Sequence, residues 1–364
     1  VPILAPYFSA GIRSVAHHEV SIVMITLTHR ERFFAALQGR PVDRAPVFPL
    51  LMFFAVDRAG ITYRQFATDG AALADAQLQV QQKFGLDAIT ACSDAFRVSA
   101  DLGGEMAFPI DKPPFLVHPI VTNSADLDKI TSPDPTSGRM GDRVRGIEHM
   151  IRGAGGSVAV LGWVDMPFAE ACAVCGVSEF MMMLIDDPVL AHALLERLTE
   201  VVISFALAQG SAGADMIGAG DAAASLLSPG LYREFALPYE QRVCAAIHEA
   251  QGLVKLHMCG NTKHLLDSLA TCGADLFNVD HMVSLEDARN VYDAHGKAYK
   301  GNLDPVADMM RATPEACRES ALRCLAIAKG TRYMLSAGCE IPAETPDAVM
   351  RTFCEAAIEF GASC

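Results

Sequence analysis

Short apolar runs rich in β-branched and aromatic residues alternate along the chain with longer amphipathic stretches at helical spacing. The runs at 46–50 (PVFPL), 87–91 (DAITA), 158–163 (VAVLGW), 214–219 (ADMIGA), 253–258 (LVKLHM), 275–279 (DLFNV), 297–301 (KAYKG) and 332–336 (RYMLS) read as eight strands. Helical spacing appears at 70–84, 178–184, 188–209, 229–250, 263–272, 284–295, 314–329 and 346–360. Asp187–Pro188 is a good helix start, with a carboxylate at the cap and proline where its missing N–H costs nothing. Eight strands, most of them followed by a helix, predict an α/β protein built as a single (β/α)8 TIM barrel. The irregular stretch 92–157 is then an excursion between strands two and three. A doubly wound open sheet usually carries a Gly-rich phosphate loop after its first strand. PVFPLLMFFA has no glycine at all.

No linker, low-complexity tract or internal repeat divides the chain, so 24–364 is expected to form one barrel domain. Residues 1–23, interrupted by His17, His18 and Glu19, do not read as a signal peptide and are expected to be a disordered N-terminal extension. Met24 reads as a natural start, because Thr28-x-x-Glu31 just after it predicts a capping box.

Composition narrows the function classes. Of 364 residues 51% are hydrophobic and 20% charged, enough to bury a large core and too apolar for disorder. A net charge of -14 with no compensating basic run repels nucleic acid and anionic membrane. No stretch reaches the roughly 18 consecutive apolar residues that a membrane span needs. Eleven scattered cysteines, an odd number, argue against a disulfide framework and for a reducing cytoplasm.

In a barrel, chemistry belongs to the carboxyl ends of the strands. Those positions hold Asp94, Asp165, Asp221, His257, Cys259, Asp280, Asn302, Asp304 and Cys339. Asp165, Asp221, Asp280 and Asn302 are expected to line one cavity. At least two of them should orient substrate or ligands, and the rest should cap helices. His257 and Cys259, two apart on an extended chain, point to the same side. Imidazole and thiolate suit zinc, and a third ligand would leave one tetrahedral position open for chemistry. Cys339 can face the mouth from the end of the last strand. The plainer alternative is a buried cysteine beside a histidine that holds a backbone carbonyl.

Other features carry less. Cys172-x-x-Cys175 lies in a helical stretch with no second pair near it and reads as two packed cysteines. Met181–Met183 reads as helical core, and Trp163 as a pocket wall or a filler. Gly218-x-Gly220 lacks the remaining glycine of a dinucleotide fingerprint.

The stretch from Thr28 to Pro46, Asp187–Pro188, Leu227-Ser228-Pro229 through Phe235, and Gly301-Asn302-Leu303-Asp304-Pro305 together resemble the uroporphyrinogen decarboxylase superfamily. The resemblance covers about 28 to 360 and implies the same barrel. The decarboxylases carry an arginine-rich segment after the first strand, where LLMFFAVDRAG offers Arg58 alone. They also carry a histidine in a late Gly-His-Gly turn, where Cys339 stands here. At these positions the chain is similar to the other branch, the zinc-dependent corrinoid-linked methyltransferases of the methylcobamide:coenzyme M kind. Their His-x-Cys-Gly-Asn-Thr segment with a distant Gly-Cys matches His257, Cys259 and Cys339 residue by residue.

That resemblance implies Zn2+ on those three residues, with the fourth ligand a water, a substrate or a carboxylate such as Asp221. It also implies methyl transfer between a corrinoid (cobalamin) protein and a thiol or other small methyl acceptor or donor. In the thiol direction a metal-activated thiolate attacks the methyl group on cobalt, and cobalamin departs as Co(I). The alternative is demethylation of a donor such as an aryl methyl ether onto a Co(I) corrinoid protein. Further alternatives are a uroporphyrinogen-type decarboxylase, which would need a cationic cluster at the mouth, and a non-enzymatic tetrapyrrole binder. Asp293-Ala-His295-Gly296 is the nearest match to a corrinoid-binding motif, but Ala298 stands where its final glycine belongs. The corrinoid is therefore expected on a separate partner protein that docks over the barrel mouth.

Overall fold

The computed structural model describes residues 26–363, so the expected extension 1–23 and Met24 lie outside the described residues. Seven parallel strands run in sequential order: β1 (Ala88–Thr90), β2 (Ala159–Asp165), β3 (Met216–Gly220), β4 (Val254–His257), β5 (Leu276–Val279), β6 (Ala298–Leu303) and β7 (Tyr333–Ala337). The eighth position is filled by 46–50, and here the expectation of eight regular strands needs correction. Val47 pairs with Leu335 and Leu50 with Glu340 only as isolated bridges. Pro46 and Pro49 have no N–H to give a ladder, which limits this segment to single contacts. It still closes the ring. Phe48 donates to the Leu335 carbonyl at 3.0 Å on one side, and the Asp87 N–H donates to the Val47 carbonyl at 3.0 Å on the other.

The helices follow the amphipathic stretches, with two informative differences. The stretch 229–250 is broken into Pro229–Phe235 and Leu237–Glu249, because Pro238 cannot continue the ladder of the first helix. The excursion 92–157 contains a 17-residue helix, Gly138–Ala154, that the sequence pattern conceals. Its glycines at 138, 141, 146 and 153 lower helix propensity, yet one of them is what packing requires. Gly146 lies against Gly70 of the helix Gly70–Phe84, and a Cβ on Gly70 would stand 2.3 Å from the Asp142 carbonyl oxygen. Between β1 and that helix sit the short helix Arg97–Asp101 and a hairpin of Met106–Ala107 with Phe115–Leu116. The helix His29–Leu37 opens with the expected capping box on Thr28 and Glu31. Among the described residues no single helix is long and apolar enough to cross a membrane.

The lower barrel is filled by Phe33, Phe48, Leu161, Met216, Leu276 and Met334. Its seam is held by Asp87, which is fully buried. The carboxylate accepts from Arg32 at 2.8 Å, from Arg44 at 2.7 Å, from His29 Nδ1 at 3.0 Å and from the Val47 N–H at 2.7 Å. Burial alone would raise its pKa, but hydrogen bonds from His29 and the Arg44 guanidinium hold it below the ordinary aspartate value. Replacing Asp87 with Ala takes the buried acceptor from Arg44 and the Val47 N–H and leaves Arg32 with the Asp43 carboxylate alone. It should cost on the order of 3–5 kcal/mol in denaturant unfolding. A loss below about 1 kcal/mol would show that the seam does not depend on this carboxylate.

Candidate metal centre

His257 ends β4 and Cys259 follows it, while Cys339 lies in the loop after β7, across the barrel mouth. His257 Nε2 is 2.8 Å from Cys259 Sγ, the two sulfurs are 3.4 Å apart, and Cys339 Sγ is 3.7 Å from His257 Nε2. Among the described residues these three form the group of His, Cys and carboxylate donors able to share one ion. Tetrahedral zinc, with Zn–S near ~2.3 Å and Zn–N near ~2.0 Å, sets such donors roughly 3.5–3.8 Å apart. One imidazole and two sulfurs converging at 2.8–3.7 Å therefore fit that ion after a small opening of the triangle.

The glycines beside the cysteines are fixed by close approach. Gly260 has φ +90°, the left-handed region that favours glycine, and its N–H donates to Asp280 Oδ2 at 2.9 Å. A Cβ on Gly338 would lie 2.4 Å from the His281 nitrogen. The same logic explains Gly218-x-Gly220. These glycines pair with Trp163 and Asp165 across the sheet, and a Cβ on either would strike those side chains. They make room for the side chains that wall the site.

The cluster is short of solvent and rich in opposing charge. The Cys259 and Cys339 thiols share a hydrogen bond that lowers the Cys339 pKa and raises that of Cys259, so the two sulfurs titrate as one pair. Beneath them Lys255 is pushed down to about 8 by burial, and Lys300 is lowered further by the same cause. Lys255 Nζ lies 4.7 Å from the Trp163 ring centroid.

A cavity of about 650 Å3 opens above the three donors. Of the expected lining residues, Asp165 faces it and Asp221, Asp280 and Asn302 do not. Asp221 follows Gly220, which does line the wall, so strand alternation turns its side chain away from the cavity. It is fully buried and accepts no hydrogen bond among the described residues. Burial, then the neighbouring Glu240, raises its pKa well above the ordinary value. It lies outside the metal group, so it is no fourth ligand here. Asp280 spends its carboxylate on the Gly260 and Met282 N–H groups, at 2.9 Å each. Asn302 donates to the Asp280 carbonyl at 3.3 Å and the Val283 carbonyl at 2.7 Å. Both support the loops around the three donor side chains and neither reaches the cavity.

The structure adds wall residues beyond the four expected ones, among them Asp94, which the sequence places at a strand end. Glu340, next to Cys339, lines the cavity, and its Oε1 accepts from the Phe53 N–H at 2.5 Å. Its adjacency to Cys339 was the available signal. Ser93 and Asp94 form another wall, backed by three arginines. Arg139 grips Asp94 with both terminal nitrogens at 3.0 Å, and Arg97 and Arg143 donate to Ser93 Oγ at 2.5 and 2.6 Å. Arg139 and Arg143 lie in the helix hidden by its glycines, so no local pattern revealed them. Trp163 is a cavity wall. Cys172 and Cys175 are buried in one helix as packed cysteines. His295 ends a surface helix, bonded to the Val291 carbonyl at 2.9 Å.

The chain belongs to the uroporphyrinogen decarboxylase (URO-D) family, whose model matches residues 28–360. Methylcobamide:CoM methyltransferase MtbA of Methanosarcina acetivorans is 27% identical over 340 residues, covering 92% of this chain and 98% of that protein. A uroporphyrinogen decarboxylase of Xanthomonas axonopodis pv. citri is 32% identical over 308 residues, covering 79% and 84% of the two chains. Among solved structures, a methyltransferase from Methanosarcina mazei superposes with a TM-score of 0.84 over 92% of this chain and 99% of that one, at 24% identity. That likeness establishes the barrel fold.

Asp165 is pushed up to about 7, chiefly by burial, with Arg97 opposing the shift. The folded protein therefore holds a proton that the unfolded chain releases near 3.8. Stability should fall as pH rises between those two values. Asp165→Asn is expected to flatten this part of the pH profile in thermal melts, and an unchanged slope would assign it to other carboxyls.

Proposed function

We propose that the protein is a zinc-dependent methyltransferase that moves a methyl group between a corrinoid on a partner protein and a heteroatom of a small molecule in the cavity. One observation carries the reading: an imidazole and two thiols from β4 and the loop after β7 converge at the floor of a cavity on the catalytic face. The names of the methyltransferase relatives support it. So does the lining, which among its described residues contains no Arg or Lys to grip the carboxylates of a porphyrinogen. His257, Cys259 and Cys339 would hold the ion. When bound, zinc supplies Lewis acidity, keeping a substrate thiol deprotonated or polarising a leaving heteroatom.

The chain's own residues do the rest. Phe53, Tyr63, Phe96 and Trp163 wall the cavity with rings and exclude water from the reacting atoms. Asp280 and Asn302 fix the loops that carry the donors, and the Glu340 carboxylate ties the Cys339 loop to Phe53. Val177 of the cavity wall exposes apolar surface, as do Phe115 next to the lining residue Leu116, Leu226 after β3 and Met282 after β5. Such a rim suits a partner that docks over the opening and releases between half-reactions.

Metal analysis tests the reading directly. The wild type should bind one zinc per chain and transfer the methyl group of methylcobalamin to a supplied thiol, giving the methyl thioether and releasing cob(I)alamin. Cys259→Ala and Cys339→Ala should fold, lose the zinc and lose more than about 100-fold of that activity. Asp280→Ala should weaken zinc binding by about 10–100-fold, because it frees the Gly260 loop. Full zinc occupancy in the double cysteine variant would overturn the assignment.

A further inference from the structure

Asp94, Asp165 and Glu340 bring carboxyl groups to the cavity wall, and two of them are committed. Asp94 is gripped by Arg139 through two 3.0 Å bonds, and Glu340 accepts from the Phe53 N–H at 2.5 Å. Asp165 is bound to no cation among the described residues, and its hydrogen-bonding neighbour there is the Trp163 side chain. A glycine sets its position. Asp165 of β2 pairs with Gly220 of β3, which pairs with His257 of β4, so the three share one rung of the sheet. A Cβ on Gly220 would stand 2.8 Å from Asp165 Oδ1, so the carboxyl leans across that bare position, on the side where His257 lies. It stays outside the group of donors able to share one ion.

The wall behind Asp165 is charged and dry. Glu170 of the helix Pro167–Cys175 is 2% exposed, and its Oε2 has no partner among the described residues. Arg97 Nε and both Nε and Nη1 of Arg143 are buried there too, and they donate to nothing among the described residues. Neighbouring carboxyls that share so little water resist ionising together. Burial, then the Asp165 charge, raises Glu170 well above its ordinary value, so Glu170 keeps its proton. Burial raises Asp165 as well, but Arg97 opposes the shift and the value comes to about 7. Asp94 and Cys92 from the stretch after β1 and Asp221 at the end of β3 are the other titratable groups that face it. Near neutrality both forms of Asp165 are populated, and a guanidinium that does not deprotonate faces the charged one.

Methyl transfer needs a group of this kind. A thiol sheds a proton as it becomes a thiolate, and an oxygen or sulfur that loses its methyl group gains one. We propose that Asp165 is the proton-exchange group of the cavity, taking the S–H proton of a thiol acceptor and, in the opposite direction, protonating the heteroatom that the methyl group leaves. This rests on the methyl-transfer reading above and assigns its proton. In the first case the S–H bond breaks, sulfur keeps the electron pair, and an O–H bond forms at Asp165. In the second the Asp165 O–H bond breaks, its electron pair stays on the carboxylate, and the heteroatom's pair forms the new bond to hydrogen.

Zinc-loaded protein and 2-mercaptoethanol supply the test. In weakly buffered solution near pH 7, the wild type should release about half a proton fewer on thiol binding than Asp165→Asn, because Asp165 keeps it. With methylcobalamin as donor, kcat should rise as pH passes through about 7 in the wild type, and Asp165→Glu should keep a rise. Asp165→Asn should lose the rise and about 100-fold or more of kcat, with its zinc content unchanged. A carboxyl that merely holds the wall together would move neither the proton count nor the pH profile. Equal proton counts in the two proteins, a rise that survives in Asp165→Asn, or a wild type without one would overturn the inference. A wild type that takes up no zinc would sink the methyl-transfer reading and this assignment with it. Zinc loading and methyl transfer with the same pH profile and proton count in both proteins would sink this inference alone.

Discussion

Everything at the catalytic face depends on closing a barrel whose eighth strand cannot pair properly. The prolines at 46 and 49 deny 46–50 the ladder that binds the other seven strands. A buried carboxylate takes over at that seam. Asp87 holds Arg32, Arg44 and the Val47 N–H together at distances of 2.7–2.8 Å. Few arrangements justify three charged groups in so little water, because the desolvation of each must be repaid by the others. The seam is repaid, and it has a consequence higher up. With 46–50 in place, the Leu50 carbonyl accepts from Ile341 at 3.0 Å, and Glu340 can take the Phe53 N–H. The loop that carries Cys339 is thus fastened to the same segment that the ion cluster secures below.

The upper barrel applies the same rule to a second set of buried charges. Arg97, Arg139 and Arg143 crowd behind Ser93 and Asp94, and Asp94 is held well below the usual carboxylate range by Arg97 and Arg139, against the pull of its burial. Guanidiniums do not lose their protons in proteins. Asp94 is thus paired by Arg139 and lies within 3.9 Å of Arg97, whereas Arg143 has no carboxylate among the described residues and bonds Ser93 Oγ alone. Two lysines under the metal donors follow the opposite course. Burial depresses both, and Lys300 is absorbed by the Phe48 carbonyl and Ser336 Oγ at 2.6 and 3.2 Å.

Much of this was legible in the sequence because it is local. Strand runs, helix caps and the His257-x-Cys259 spacing each declare themselves within a few residues. The grouping of Cys339 with His257 and Cys259 came through the family resemblance, since 80 residues separate it from Cys259. What escaped was set by packing. The helix Gly138–Ala154 is concealed by glycines that exist to let it approach Gly70. Asp221 was placed in the cavity by its position after a strand, yet one step of alternation sends it behind the wall. Asp280 and Asn302 were read as candidates for chemistry at the mouth, although their shortest hydrogen bonds go to backbone groups of the neighbouring loops.

Those backbone bonds show how two distant loops keep one geometry. The Cys259 loop and the Cys339 loop leave β4 and β7, with β5 and β6 between them. A chain of hydrogen bonds crosses that gap. Gly260 donates to Asp280 after β5, and Asn302 at the end of β6 donates to the Asp280 carbonyl. Gly338 donates to the Leu303 carbonyl at 2.8 Å, and Asn278 of β5 donates to the Gly338 carbonyl at 2.6 Å. Each link uses a side chain or glycine whose identity the approach demands. An isolated thiol on a mobile loop would lose rotational freedom on joining a metal site, and every degree of freedom lost weakens binding. Here that loss is met during folding, so the donors stand ready on a rigid arc. The carboxylate and amide at 280 and 302 thus fix the positions of the two sulfurs.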